Sequence, residues 1–161
     1  MIGWRDGIIG RLVHDLKYHS TRKISALMAE ILDAVLPYFD EPVHIVPLPT
    51  IKKHIRERGF DHTMLIAKKL ARRRKWQVDA ILGRAKNTVQ VGSDQETRLK
   101  QAREAYLINK PADKNAVYLL LDDVWTTGAS MRAAIKKLRE AGGTKIVVAV
   151  LAVNRINDKI S

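Results

Sequence analysis

The chain has 161 residues, a formal net charge of +12 and no cysteine. This length predicts one domain, and 46% apolar with 29% charged residues is typical of a globular protein. The lack of cysteine excludes disulfides, thiol catalysis and cysteine-ligated zinc or iron–sulfur sites. No run approaches the ~20 apolar residues of a membrane span, and the first residues lack the order of a signal peptide. We therefore expect a cytoplasmic protein with no membrane span.

Two helices are predicted first, because apolar residues recur at helical spacing over Ile8–Leu16 and Ile24–Val35. Residues 1–37 are accordingly expected to form a helical hood over a site, or a packing segment. Val43–Val46 then predicts a buried strand, followed by a loop that runs to about Asp61. A third helix follows that loop, with an apolar stripe formed by Ile66, Ala67, Leu70 and Ala71.

Val78–Leu82 and Ala105–Ile108 predict two further strands. About twenty polar residues without clear periodicity separate them, and a loop of that length is usually functional or mobile. Val117–Leu121 and Ile146–Val153 are apolar strands, and the helix between them predicts a βαβ unit. The fold expected is therefore α/β, with a parallel sheet flanked by helices, in a single domain whose core spans residues 43–153.

The positive charge is concentrated between residues 51 and 76, where ten residues are basic and two are acidic. Such a block indicates an anionic partner, either phosphate groups of a small ligand or a nucleic-acid backbone. The first cluster is predicted to lie in a loop and comprises Lys52, Lys53, Arg56 and Arg58. The second lies on the third helix, where a solvated helix face is the alternative; its DNA-binding candidates are Lys68, Lys69, Arg72 and Arg73.

Asp122 and Asp123 follow the central apolar strand and precede a run of small and hydroxyl residues that leads into a helix. Ligands of open parallel sheets bind at the carboxyl ends of the strands. Paired carboxylates suit a diol or a hydrated cation, and backbone N–H groups at a helix start suit a phosphate. A sugar phosphate is therefore the ligand that this segment predicts. The predicted phosphate loop consists of Thr126, Thr127, Gly128, Ala129 and Ser130.

Other interpretations account for less of this run. Simple capping of the helix by Thr126 or Thr127 would explain only one or two of its residues. A Walker loop would need Gly-Lys-Ser/Thr, and a dinucleotide fingerprint would need three spaced glycines; both are missing. An aspartyl phosphate site does not suit the Thr-Thr-Gly that follows. The five histidines show no metal-ligand spacing, so packing or surface roles are expected for them.

The segment LLLDDVWTTGAS resembles the motif by which type I phosphoribosyltransferases bind phosphoribosyl pyrophosphate (PRPP). More narrowly, IVPLPTIKKHIRERGFDHTMLIAKKLA is similar to a segment of the ComF family, as are Leu16-Lys17-Tyr18 and, loosely, Thr88, Gln90 and Arg98. The resemblance covers about residues 8–153. Asp61-His62 stand where that family usually has Asn-Gln, Trp125 is bulky for its position, and the cysteine zinc ribbon of many members is missing, so no zinc is expected.

The resemblance implies that Asp122 and Asp123 hold the ribose hydroxyls of PRPP, directly or through Mg²⁺, and that residues 126–130 hold the 5′-phosphate. It places the pyrophosphate at residues 48–53, so that Lys52, Lys53, Arg56 and Arg58 would stabilise the leaving group. The loop between Arg84 and Arg103 would then be a lid that excludes water. The candidate lid cations, which would reach the substrate on closure, are Lys86, Arg98 and Lys100; exposed charges on a mobile loop are the equal alternative for them. No catalytic residue is assigned.

Two functions follow from the resemblance. The first is a ComF-like role in competence-related DNA uptake, in which PRPP or a nucleotide binds the site and single-stranded DNA binds the basic helix. A helicase or a recombination mediator would then be a partner. The alternative is an active phosphoribosyltransferase of nucleotide salvage, with PRPP, Mg²⁺ and an unassigned base as acceptor. The sequence leaves the oligomeric state open.

Overall fold

The structure is a computed structural model that describes residues 3–4, 22–85 and 105–153. Seven strands and four helices lie within these ranges. In chain order they are β1 (Gly3–Trp4), α1 (Arg22–Val35), β2 (Val43–Pro47), α2 (Lys52–Arg58), α3 (His62–Arg74), β3 (Gln77–Val78), β4 (Leu82–Arg84), β5 (Tyr106–Ile108), β6 (Val117–Trp125), α4 (Ala129–Glu140) and β7 (Lys145–Val153). No described helix has the length and apolar character needed to cross a lipid bilayer.

Five strands form a parallel sheet in the order β1-β7-β6-β2-β3, and β4 pairs with β5 as a separate antiparallel ribbon. β6 lies at the centre, between β2 and β7. Both faces of a central parallel strand are covered, which explains why its first five residues are all apolar and buried. The predicted α/β fold, with a parallel sheet flanked by helices, is confirmed.

Alternate residues of β6 enter two separate hydrophobic cores. Val117, Leu119 and Leu121 pack with α1 and α3 on one face of the sheet. Tyr118 and Leu120 pack with α4 and the β4–β5 ribbon on the other. Because successive side chains of a strand point to opposite faces, the two layers of helices are sorted by this alternation. The same alternation continues into the polar residues that follow Leu121.

Helix α1 packs on the sheet beside α3, with Met28, Ala29 and Leu32 buried there. At its solvent side, Asp33 accepts hydrogen bonds from the guanidinium groups of both Arg73 and Arg74. These bonds hold the pKa of Asp33 below its ordinary value. The first predicted helix, over residues 8–16, lies outside the described residues.

Several predicted boundaries were wrong. The expected loop up to Asp61 contains helix α2. Gly59 caps the end of this helix with a left-handed backbone conformation. The single strand expected over Val78–Leu82 is divided, because the chain leaves the main sheet after β3 and joins β5 through β4. Two N-terminal residues form β1, beside β7, which helical periodicity did not predict. β6 continues to Trp125, four residues beyond Leu121, where the predicted strand ended.

Candidate functional site

The carboxyl ends of β2 and β6 meet at one edge of the sheet. The backbone N–H of Leu48 donates to the carbonyl of Leu121 over 2.9 Å, so the chain leaving β2 stays beside β6 at this point. A cleft of about 210 Å³ opens there. Its lining residues come from six different segments and are Leu48, Pro49, Thr50, His62, Thr63, Arg84, Tyr106, Asp122, Asp123 and Ser130.

Asp122 and Asp123 both line this cleft from within β6. They lie on paired strand rather than on a loop, because Asp122 and Val124 are in register with Val150 and Ala152 of β7. Their side chains point to opposite faces of the sheet, as adjacent strand residues must. Asp123 turns toward α3, whereas Asp122 turns toward Tyr106 and α4. The two carboxylates therefore approach the cleft from its two sides.

On the α3 side, Asp123 is hydrogen-bonded to the first residue of that helix. Nε2 of His62 lies 2.8 Å from Oδ2 of Asp123, and the two side chains are only 4% and 13% exposed. Asp61 precedes this histidine and caps the helix by accepting from the N–H of Met64. The sequence alone predicts a packing or surface role for His62. The signal for its position was its place at the start of the helix that follows the predicted pyrophosphate segment.

On the α4 side, the cleft contains a cation and a phenol that the sequence alone does not assign to a site. The guanidinium of Arg84 donates to the carbonyl of Pro49 over 3.3 Å and lies over the ring of Tyr106, 5.5 Å from its centroid. Nε of Arg84 is buried and has no hydrogen-bond partner among the described residues. Arg84 and Tyr106 lie at the two ends of the long polar segment. Their position beside a predicted lid was the sequence signal that could have assigned them to the site.

The phenol of Tyr106 is buried beneath this cation. Burial raises its pKa, and the negative charge of Asp122 adds to the rise, while Arg84 opposes it. The phenol is therefore neutral at physiological pH and can donate a hydrogen bond. A neutral donor, a guanidinium and a carboxylate thus share this side of the cleft.

The predicted phosphate loop connects β6 to α4. Gly128 adopts φ 73°, and a Cβ there would lie 2.4 Å from the Trp125 ring, so only glycine fits. Thr127 accepts from the N–H of Ala129 through its hydroxyl and from Arg132 through its carbonyl. Thr126 and Ser130 are exposed. A small cavity of about 30 Å³ is lined by residues of this loop and by Trp125.

The cations predicted to face the pyrophosphate lie on α2. Lys52 and Arg56 are exposed and do not line the described cleft. The side chains of Lys53 and Arg58 lie outside the described residues, as do the candidate lid cations Lys86, Arg98 and Lys100. Leu48, Pro49 and Thr50 do reach the cleft, so it is the start of the predicted pyrophosphate segment that the fold brings to the two carboxylates.

The candidate DNA-binding cations on α3 divide into two groups. Lys68 and Arg72 are exposed and Lys69 is partly buried. Arg73 donates to Asp33 over 2.8 Å and also lies 3.8 Å from Glu30, so it joins α3 to α1. Part of the positive charge on this helix therefore stabilises the fold.

The family model described as a phosphoribosyl transferase domain matches residues 16–160. The chain belongs to the phosphoribosyl transferase domain family. No curated protein matches the chain in sequence. The family assignment agrees with the architecture, because the strand–loop–helix segment carrying Asp122 and Asp123 occupies the carboxyl edge of the sheet.

Several solved structures share this fold. A glutamine PRPP amidotransferase from B. subtilis, complexed with ADP and GMP, superposes with a TM-score of 0.56 at 14% identity over 86% of this chain. An allosteric regulatory enzyme of purine biosynthesis gives 0.57 at 16% over 86%. This chain spans only 30% of the length of each. A hypoxanthine phosphoribosyltransferase from Staphylococcus aureus gives 0.50 at 12%, over 86% of this chain and 70% of its own.

Proposed function

We propose that the protein binds PRPP with Mg²⁺ in this cleft and transfers the phosphoribosyl group to a nitrogen nucleophile. The observation that carries the proposal is the convergence of Asp122, Asp123, Arg84 and the Thr126–Ser130 loop at one edge of the sheet. Carboxylates suit ribose hydroxyls, the loop suits a 5′-phosphate, and the guanidinium beside Pro49 suits a pyrophosphate.

The residues of the cleft fit a magnesium ion that arrives with its substrate. Asp122 and Asp123 offer the oxygen ligands that Mg²⁺ prefers. No cluster of three or more potential metal-binding side chains occurs in the described ranges, so the chain supplies no complete cage there. Mg²⁺ characteristically takes one or two carboxylates and completes its shell with substrate phosphates and water. When bound, it would offset the negative charge of the departing pyrophosphate.

In the proposed reaction, the bond from the anomeric carbon to a pyrophosphate oxygen breaks and a carbon–nitrogen bond forms. Pyrophosphate leaves with the bonding electrons, and the nucleophile loses its proton. The chain's residues would hold the two ends of PRPP apart and stabilise charge, because positioning and electrostatics can supply much of the barrier reduction. The neutral phenol of Tyr106 would donate a hydrogen bond within the same cleft.

Isothermal titration calorimetry with PRPP and Mg²⁺ tests the proposal. Wild-type protein is expected to bind, and Asp122→Asn with Asp123→Asn is expected to reduce affinity by at least about tenfold, because charged hydrogen bonds and metal contacts are lost. Asp40→Asn is the matched control, since Asp40 is exposed and does not line the cleft. Equal binding by the double variant would contradict the assignment of the carboxylates. Pyrophosphate release with a panel of nitrogenous bases then tests transfer.

A second proposal is the ComF-like role in DNA uptake, which the family model and the solved structures do not reach. Lys68, Lys69 and Arg72 support it, because they lie together on α3 and do not line the cleft. Changing all three to Glu should abolish single-stranded DNA binding and leave PRPP binding intact. Wild-type affinity should fall steeply with salt. DNA binding that survives the triple change would rule this surface out.

A further inference from the structure

His62 and Asp123 form a buried pair that joins α3 to the central strand. They are 61 residues apart in sequence, and their side chains meet over 2.8 Å; His62 is buried and Asp123 is mostly buried. A carboxylate accepts hydrogen bonds, so Nε2 of His62 is the donor. In a buried setting such a bond is not screened by water, and it fixes the carboxylate plane of Asp123.

The two ring nitrogens of His62 differ in their contacts, and only Nε2 has a described hydrogen-bond partner. Nδ1 of His62 is buried and has no hydrogen-bond partner among the described residues. Among the described residues, the ring is therefore held by a hydrogen bond at Nε2 and not at Nδ1, although an unpaired buried polar atom costs about 1–3 kcal/mol. Its described polar contact is the one made by the distal nitrogen, which reaches from the helix to the strand. His44 pairs differently, through Nδ1, with Asp79.

The pair lies at the ligand cleft and not behind it. His62, Thr63 and Asp123 all line the same cavity, and Asp123 is the carboxylate that faces the α3 side. We propose that His62 is a positioning residue, which orients the Asp123 carboxylate so that it meets the ribose hydroxyls and Mg²⁺ of the substrate in one orientation. This inference rests on the proposed function. Removing a partner that orients a ligating group typically costs about 10–100-fold in affinity or activity.

Three substitutions of His62 separate orientation from packing. His62→Gln places an amide N–H near the position of Nε2, His62→Asn places one only near Nδ1, and His62→Leu fills the space without a donor. Calorimetric titration of PRPP with Mg²⁺ should show Gln within about threefold of wild type. Leu and Asn should lose about tenfold or more. The free energy of unfolding of each variant, from urea titration, is measured in parallel.

The other histidine–aspartate pair supplies the control. His44→Gln and His44→Asn alter a histidine that does not line the cleft, and both should leave PRPP affinity unchanged. A double-mutant cycle adds a further check: in an Asp123→Asn background, His62→Leu should no longer weaken binding, because the group that it orients has changed.

The outcomes are distinct. If wild type binds PRPP and His62→Leu binds equally well, or if Gln loses as much as Leu, the positioning role is overturned and the proposed function stands. If wild type shows no PRPP binding with Mg²⁺, both proposals are overturned. If affinity falls only in parallel with unfolding free energy across all five variants, His62 is structural and the inference is again overturned.

Discussion

Gly128→Ala should destabilise the fold more than Gly59→Ala, although both glycines have a left-handed backbone. Gly128 has φ 73° and Gly59 has φ 79°, so the backbone cost of adding a Cβ is about 1–2 kcal/mol at each. The surroundings differ. A Cβ at Gly128 would lie 2.4 Å from Cζ2 of Trp125, whereas nothing lies within 4 Å at Gly59. Overpacking costs about 1–3 kcal/mol more, so we expect roughly 2–5 kcal/mol at Gly128.

Equilibrium unfolding in urea measures the loss of unfolding free energy in each variant. The two losses can be compared if the free energy depends on urea concentration with the same slope in both variants. The double variant Gly128→Ala with Trp125→Leu should recover part of the extra cost, because the ring that meets the new methyl group is gone. Equal losses for the two alanine variants would refute the reasoning. They would mean that Trp125 moves aside freely and does not shape the loop before α4.

Two further predictions concern charged groups. Arg84→Met should weaken PRPP binding about tenfold or more and leave ribose 5-phosphate binding unchanged, since the guanidinium would contact only the pyrophosphate; equal losses for both ligands in calorimetry would contradict this. Asp33→Asn should cost about 1 kcal/mol at neutral pH, where a partly exposed ion pair is screened. Because Arg74 and Arg73 lower the pKa of Asp33, this stabilisation is present above the unfolded pKa and lost as pH falls through the folded one. The unfolding free energies of wild type and Asp33→Asn, measured by urea titration, should therefore converge from neutral to acid pH. A difference that stays constant with pH would show that the ion pairs of Asp33 do not stabilise the fold.

The strands and helices of the core were predictable because their residues are sorted by burial. Val117–Leu121 is apolar on both faces, as expected at the centre of a parallel sheet, and the stripe on α3 matches its buried residues. Helix α2 was not predictable in the same way. Its sequence KKHIRER has one apolar residue, so no periodicity distinguishes it from a polar loop. β1 has only two residues, and its strand character depends on pairing with β7.

The candidate site was predictable where one segment carries it and not where several segments meet. Asp122 through Ser130 are contiguous and form a recognisable strand–loop–helix unit. His62, Arg84 and Tyr106 reach the same cleft from three other elements, and only the sheet order and the β4–β5 ribbon bring them there. The predicted pyrophosphate cations were chosen from a cluster of basic residues that are neighbours in sequence. Among the described residues, the structure places Arg84, which is far from that cluster in sequence, beside the carboxylates.

The extension of β6 to Trp125 lowers the conformational entropy that the backbone around the two carboxylates has to lose when a ligand binds. Trp125 is in register with Val153 of β7, so the backbone on both sides of the two carboxylates is already held in a ladder. Fixing one residue's backbone costs about 1–2 kcal/mol of conformational entropy, and here folding has already met that cost for this segment. Binding at the carboxylates needs to restrict only side chains. Amide hydrogens around Asp122 should accordingly exchange slowly with solvent even without a ligand.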